Sequence, residues 1–149
     1  MIRVSVQAAP IDSGTALSYA ERTGAGGVAS FTGLVRSDDG VTALELEHYP
    51  GATEAALTRL AEEAAQRWSL LAVVIVHRVG RMVPGDRVVF VAAAAAHRAP
   101  ALEACAFLID RLKTEAPFWK RERRGDESRW VAARASDDAA AAKWRAAPD

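Results

Sequence analysis

Lysine is scarce in this chain of 149 residues: Lys113, Lys120 and Lys143 stand against 16 arginines. Cysteine is scarcer still. Cys105 alone excludes an internal disulfide framework and any metal site built only from cysteine, and fits a reducing compartment. Three histidines, His48, His77 and His97, lie far apart with no ligand spacing, so no metal is expected. Charge of one sign is not in excess, since 19 basic and 19 acidic side chains cancel. That balance argues against a dedicated nucleic-acid or membrane-surface protein. No apolar run approaches the roughly 18 residues of a membrane span, and residues 1–10 lack a charged region followed by an apolar stretch. A soluble, cytoplasmic protein is expected. There is no P-loop, no His-Glu-x-x-His helix, no paired-cysteine motif and no Gly-x-Ser-x-Gly elbow.

What is present is apolar substance and alternating pattern. Half of the residues are hydrophobic, although 33 are alanine. No repeat or linker divides the chain, so residues 1–149 read as one domain. Ile2, Val4 and Val6 alternate with polar residues as a strand does, and Asp12 or Ser13 can cap a helix carrying Ala16, Leu17, Tyr19 and Ala20. Gly24, Gly26 and Gly27 break that helix. Residues 28–35 and 41–48 look like two strands of a hairpin whose tip is the polar loop 37–40. Leu57, Leu60, Ala61, Ala64, Ala65 and Trp68 then mark an amphipathic helix over 53–68.

Residues 70–79 form a β-branched run, and 82–86 supply a turn into a strand from Arg87. The alanines 92–96 are read as its continuation, against their helical propensity. Pro100 opens a helix with its stripe at Leu102, Cys105, Ala106, Ile109 and Leu112, and Pro117 stops it. Residues 118–124 are aromatic and basic, 129–133 are a short strand candidate, and an alanine-rich helix begins near Ser136. Mixed strands and helices in this order predict the α+β class.

The lysine count is the most informative chemical signal. Two of the three lysines flank one short segment, where arginine would serve equally well for a merely solvated charge. Arginine keeps its proton near neutrality, whereas a desolvated lysine beside other cations becomes a proton carrier or nucleophile. The alternative is that Lys113 caps a helix end and Lys120 snorkels over an aromatic. His97 and Arg98 precede the helix opened by Pro100 and outline an anion site. Arg36, where an apolar strand meets a polar loop, is a third cation. Cys105, on an apolar helix face, reads as a buried small hydrophobe.

Six segments carry a resemblance: Phe31-Thr32-Gly33-Leu34-Val35-Arg36, Leu46-Glu47-His48-Tyr49-Pro50-Gly51, His77-Arg78-Val79-Gly80, Pro84-Gly85-Asp86, Ala96-His97-Arg98, and the block from Lys113-Thr114-Glu115-Ala116-Pro117 through Phe118-Trp119-Lys120-Arg121-Glu122. In identity and order they resemble the catalytic, large subunit of molybdopterin synthase. The resemblance implies an α/β hammerhead fold with mixed, largely antiparallel sheets and flanking helices. It implies a homodimer within a heterotetramer, each end docking a small ubiquitin-like sulfur carrier whose C-terminal Gly-Gly ends in a thiocarboxylate. The substrate would be cyclic pyranopterin monophosphate, whose dithiolene is built by two sulfur transfers, with no metal or organic cofactor in the enzyme. Lys113 and Lys120 would be catalytic. Substrate contacts would fall on Leu34, Val35, Arg36, His97, Arg98, Lys113, Lys120, Arg121 and Glu122. The alternative is a non-catalytic carrier-binding module of the same fold; nucleic acid and membrane are not expected partners.

Overall fold

The computed structural model describes residues 1–37, 40–125, 127–130, 142 and 144. Among them the chain runs β1 (Ile2–Gln7), α1 (Ser13–Glu21), β2 (Gly27–Leu34), β3 (Ala43–His48), α2 (Ala52–Trp68), β4 (Ala72–Arg78), β5 (Gly80–Met82), β6 (Arg87–Ala95), α3 (Arg98–Glu115), β7 (Phe118–Arg124) and β8 (Glu127–Trp130). The strands form two four-stranded sheets, ordered β1-β4-β6-β2 and β5-β3-β7-β8. Only the β1–β4 pair is parallel among these ladders. The expected α+β, largely antiparallel architecture is what the chain adopts. No helix among the described residues is long and apolar enough to cross a membrane. Apart from Ala142 and Trp144, the expected C-terminal helix lies outside the described residues, as do the end of the last strand candidate and Asp38 and Asp39 of the polar loop.

The two central strands of the first sheet, β4 and β6, are buried on both faces. Val73, Ile75, Val89, Val91, Ala93 and Ala95 pack with Leu57, Leu60, Phe107 and Leu108 of α2 and α3. Val74, Val76, Phe90, Ala92 and Ala94 pack with Ile11, Ala16 and Ala20 on the α1 side. This two-sided burial explains the alanine run. Residues 92–95 are strand because they complete ladders with β2 and β4, and their small side chains let helices approach from both faces.

The expected hairpin of 28–35 with 41–48 does not form. β2 pairs with β6, from Gly27 opposite Ala95 to Leu34 opposite Arg87, whereas β3 lies in the other sheet between β5 and β7. Beyond β2 the chain is held to the turn before β6: the Val35 N–H donates to the Asp86 carbonyl at 2.9 Å and Gly85 N–H donates to the Val35 carbonyl at 2.9 Å. Alternation identifies a strand but not its partner, and here long-range pairs took both edges that a hairpin would have used.

Candidate active site at the end of the third helix

Lys113 lies in the last turn of α3, where a cation is favoured by the helix dipole. Ala116 leaves the helix in extended conformation (φ −82°, ψ 125°), Pro117 prevents its continuation, and β7 begins at Phe118. Lys120 follows on β7 opposite Leu46. Strand alternation puts Phe118, Lys120, Glu122 and Arg124 on one face and Trp119, Arg121 and Arg123 on the other. The carboxylate of Glu122, only 12% exposed, sits 3.8 Å from the Lys120 ammonium and 3.1 Å from the Arg124 guanidinium. Lys120 and Glu122 are therefore together, and Arg121 occupies the opposite side of the strand.

Under this turn lie two buried polar residues. His77, at the end of β4, stacks on Phe118 with centroids 4.0 Å apart and planes inclined by 26°. Its Nδ1 is 3.0 Å from the Arg78 carbonyl, which only accepts, so the neutral ring carries its proton there. Burial pushes His77 down to about 4, with the charges of Lys113 and His48 adding to the effect and the carbonyl contact opposing it. The second is Thr53, in the first turn of α2, whose hydroxyl donates to the Pro117 carbonyl at 2.8 Å. Sequence reading passed over Thr53 because threonine at a helix start reads as a local cap. Its partner is 64 residues away.

Register locates the remaining candidates. Gly33 and His77 both pair with Val89, two strand spacings or about 10 Å apart. Leu34, Val35 and Arg36 thus leave the sheet at the end occupied by His77, Phe118 and Lys113. Leu34 and Arg36 are exposed, whereas Val35 is buried and its N–H and carbonyl are already bonded to Asp86 and Gly85. His97 and Arg98 are exposed at the start of α3. Arg98 and Lys113 are fifteen residue steps apart on one helix, about 22 Å along the axis. Within one chain the cations form two groups, Arg36 with the lysines and His97 with Arg98.

Cys105 is buried, and desolvation pushes its thiol up to about 11, so it stays protonated at neutral pH and packs as a small apolar group. Among the described residues no three His, Cys, Asp or Glu side chains converge as a metal set.

Residues 6–115 match the family described as MoaE protein. The chain belongs to the MoaE family. A Pseudomonas aeruginosa relative named molybdopterin synthase catalytic subunit is 50% identical over 146 residues, covering 95% of this chain and 97% of the relative. An Escherichia coli relative of the same name is 52% identical over 128 residues, covering 84% and 85%. The MoaE protein of Burkholderia ambifaria superposes with a TM-score of 0.84 at 48% identity, over 97% of this chain and 98% of that one. Molybdopterin synthase from Staphylococcus aureus gives 0.80 at 31% identity, over 85% and 95%. The MoaE match ends at Glu115, so β7 with Lys120, Arg121 and Glu122 lies past it. The longer alignments to whole relatives extend across that strand.

Proposed function

We propose that this chain catalyses sulfur transfer from the C-terminal thiocarboxylate of a small ubiquitin-like carrier to cyclic pyranopterin monophosphate, forming the dithiolene of molybdopterin. One observation carries the reading: two of only three lysines flank a single turn and share one end of the molecule with Arg36. A thiocarboxylate, a phosphate and a transient oxyanion all concentrate negative charge, and fixed cations beside low-dielectric protein stabilise it most as it develops. Lys113 and Lys120 are the groups proposed to meet the reacting atoms. Lys113 steadies the carrier's tail or carries protons as sulfur adds and water leaves. Exposed Leu34 presents backbone to the pterin and Arg36 a guanidinium, while Val35 ties the segment between them to the Gly85–Asp86 turn and Glu122 holds Lys120 in place.

The names of the Pseudomonas and Escherichia relatives support the enzyme class. A Helicobacter pylori structure of the same fold is a complex of subunits 1 and 2 of molybdopterin-converting factor, and a corresponding small partner is proposed for this chain. Homodimerisation belongs to the same reading. A second copy that sets its His97 and Arg98 against the lysine end would join the two cation groups that α3 holds apart, giving the substrate phosphate its anion site.

The test combines the purified chain with thiocarboxylated carrier and cyclic pyranopterin monophosphate and measures dithiolene product. Wild type is expected to turn over, and Lys113→Ala to keep its fold and carrier binding while losing at least about a hundredfold in product formation. Normal turnover by Lys113→Ala removes that lysine from the mechanism. No product from wild type, with carrier bound and still thiocarboxylated, selects the non-catalytic carrier-binding module.

A further inference from the structure

Lys113 and Lys120 sit on different elements, and the connector between them must fix their separation. Thr53 and His77 are the two buried polar residues among those described, and they contact adjacent residues of that connector, Pro117 and Phe118. The Thr53 hydroxyl is fully committed. It accepts the Tyr49 N–H at 2.9 Å and donates its single proton to the Pro117 carbonyl at 2.8 Å, while Thr53 N–H donates to the Tyr49 carbonyl at 2.9 Å. Gly51, at φ 86°, makes the turn that brings Thr53 back beneath Tyr49, and the Glu54 carboxylate accepts the Gly51 N–H at 2.9 Å. One buried oxygen thus joins the end of β3, the start of α2 and the turn between the lysines.

We propose that Thr53 is a positioning residue for sulfur transfer: its hydroxyl, bonded to the Pro117 carbonyl, sets where Lys113 stands relative to Lys120. The inference rests on the reading of those lysines as the working amines. An apolar residue of the same shape fills a core site without the cost of burying a hydroxyl. Here that cost is offset by bonds aimed at the connector, and removing the hydroxyl strands the Tyr49 N–H and frees the turn at Pro117. His77 stacked on Phe118 holds the next residue, so the anchor lost in such a variant is the one at Pro117.

The test compares Thr53→Val and Thr53→Ser with wild type in the product assay. The expected result for Thr53→Val is a fall in kcat of about ten- to a hundredfold, the scale of a misplacement near 1 Å, with KM for the pterin nearly unchanged. Thr53→Ser keeps the hydroxyl and restores most of the turnover. An independent readout uses the three lysines, whose carbon-13 methylated amines give separate magnetic-resonance signals assignable by replacement with arginine. Thr53→Val is expected to move the Lys113 and Lys120 signals, and Thr53→Ser to leave them near wild type. A folded Thr53→Val chain with wild-type kcat and unmoved signals overturns the proposal. If that variant does not fold, Thr53→Ala removes the hydroxyl without filling its space and is judged by the same two criteria. A wild-type chain without product, whose lysine signals still respond to Thr53→Val, overturns the sulfur-transfer reading and upholds the anchor.

Discussion

A histidine held neutral by burial near Lys113 ties the site to folding. In the unfolded chain His77 titrates near 6.5, and in the folded chain near 4. Between those values the unfolded state binds the extra proton, so stability is full above pH 6.5 and falls as pH drops toward about 4. The loss is on the order of 3 kcal/mol if His77 acts alone. Urea unfolding at pH 7, 5.5 and 4.5 measures it, and His77→Phe, which keeps a ring against Phe118, is expected to flatten the dependence. An equal slope in that variant assigns the effect to other groups. At this scale the lysines were legible from composition, since arginine replaces lysine nearly everywhere else. Thr53 was not, because its hydroxyl gains meaning only from a carbonyl that folding brings to it.

Among the elements, β6 shows how burial on two faces overrides intrinsic preference. Its alanines favour helix in isolation, yet each completes ladder bonds and fills a thin layer between helices. The start of β2 depends on an equally close approach. A Cβ on Gly26 would lie 2.1 Å from the Ala96 carbonyl oxygen, and the Gly26 N–H is already bonded to the Ala95 carbonyl at 3.0 Å. Neither backbone can withdraw without breaking the other contact. Gly26→Ala is therefore expected to destabilise the chain by at least about 1–3 kcal/mol, read as a lower urea midpoint at unchanged slope. A midpoint equal to wild type would show that the strand start can shift to make room. The glycine cluster was legible as a break after the first helix. The contact requiring glycine at this position was not, because Ala96 lies at the far end of β6.

For the whole molecule, the length of α3 decides how the cations can cooperate. If a second copy supplies His97 and Arg98 to the lysine end, Lys113→Ala and Arg98→Ala damage opposite halves of each shared site. Subunits of the two variants mixed equally and allowed to exchange should then recover about a quarter of wild-type turnover, because half of the dimers are mixed and each has one intact site. No recovery, with exchange confirmed by mass, places both residues in service of the same subunit's site. The sequence by itself determined the strand and helix periods, the stop at Pro117, the lysines flanking it and the family to which the chain belongs, since each is written in neighbouring residues. Tertiary structure alone decided that β2 and β3 part into different sheets and that Thr53 and His77 meet the connector. Those outcomes depend on pairs distant in sequence, and local pattern carries no energy term for a partner that only folding supplies.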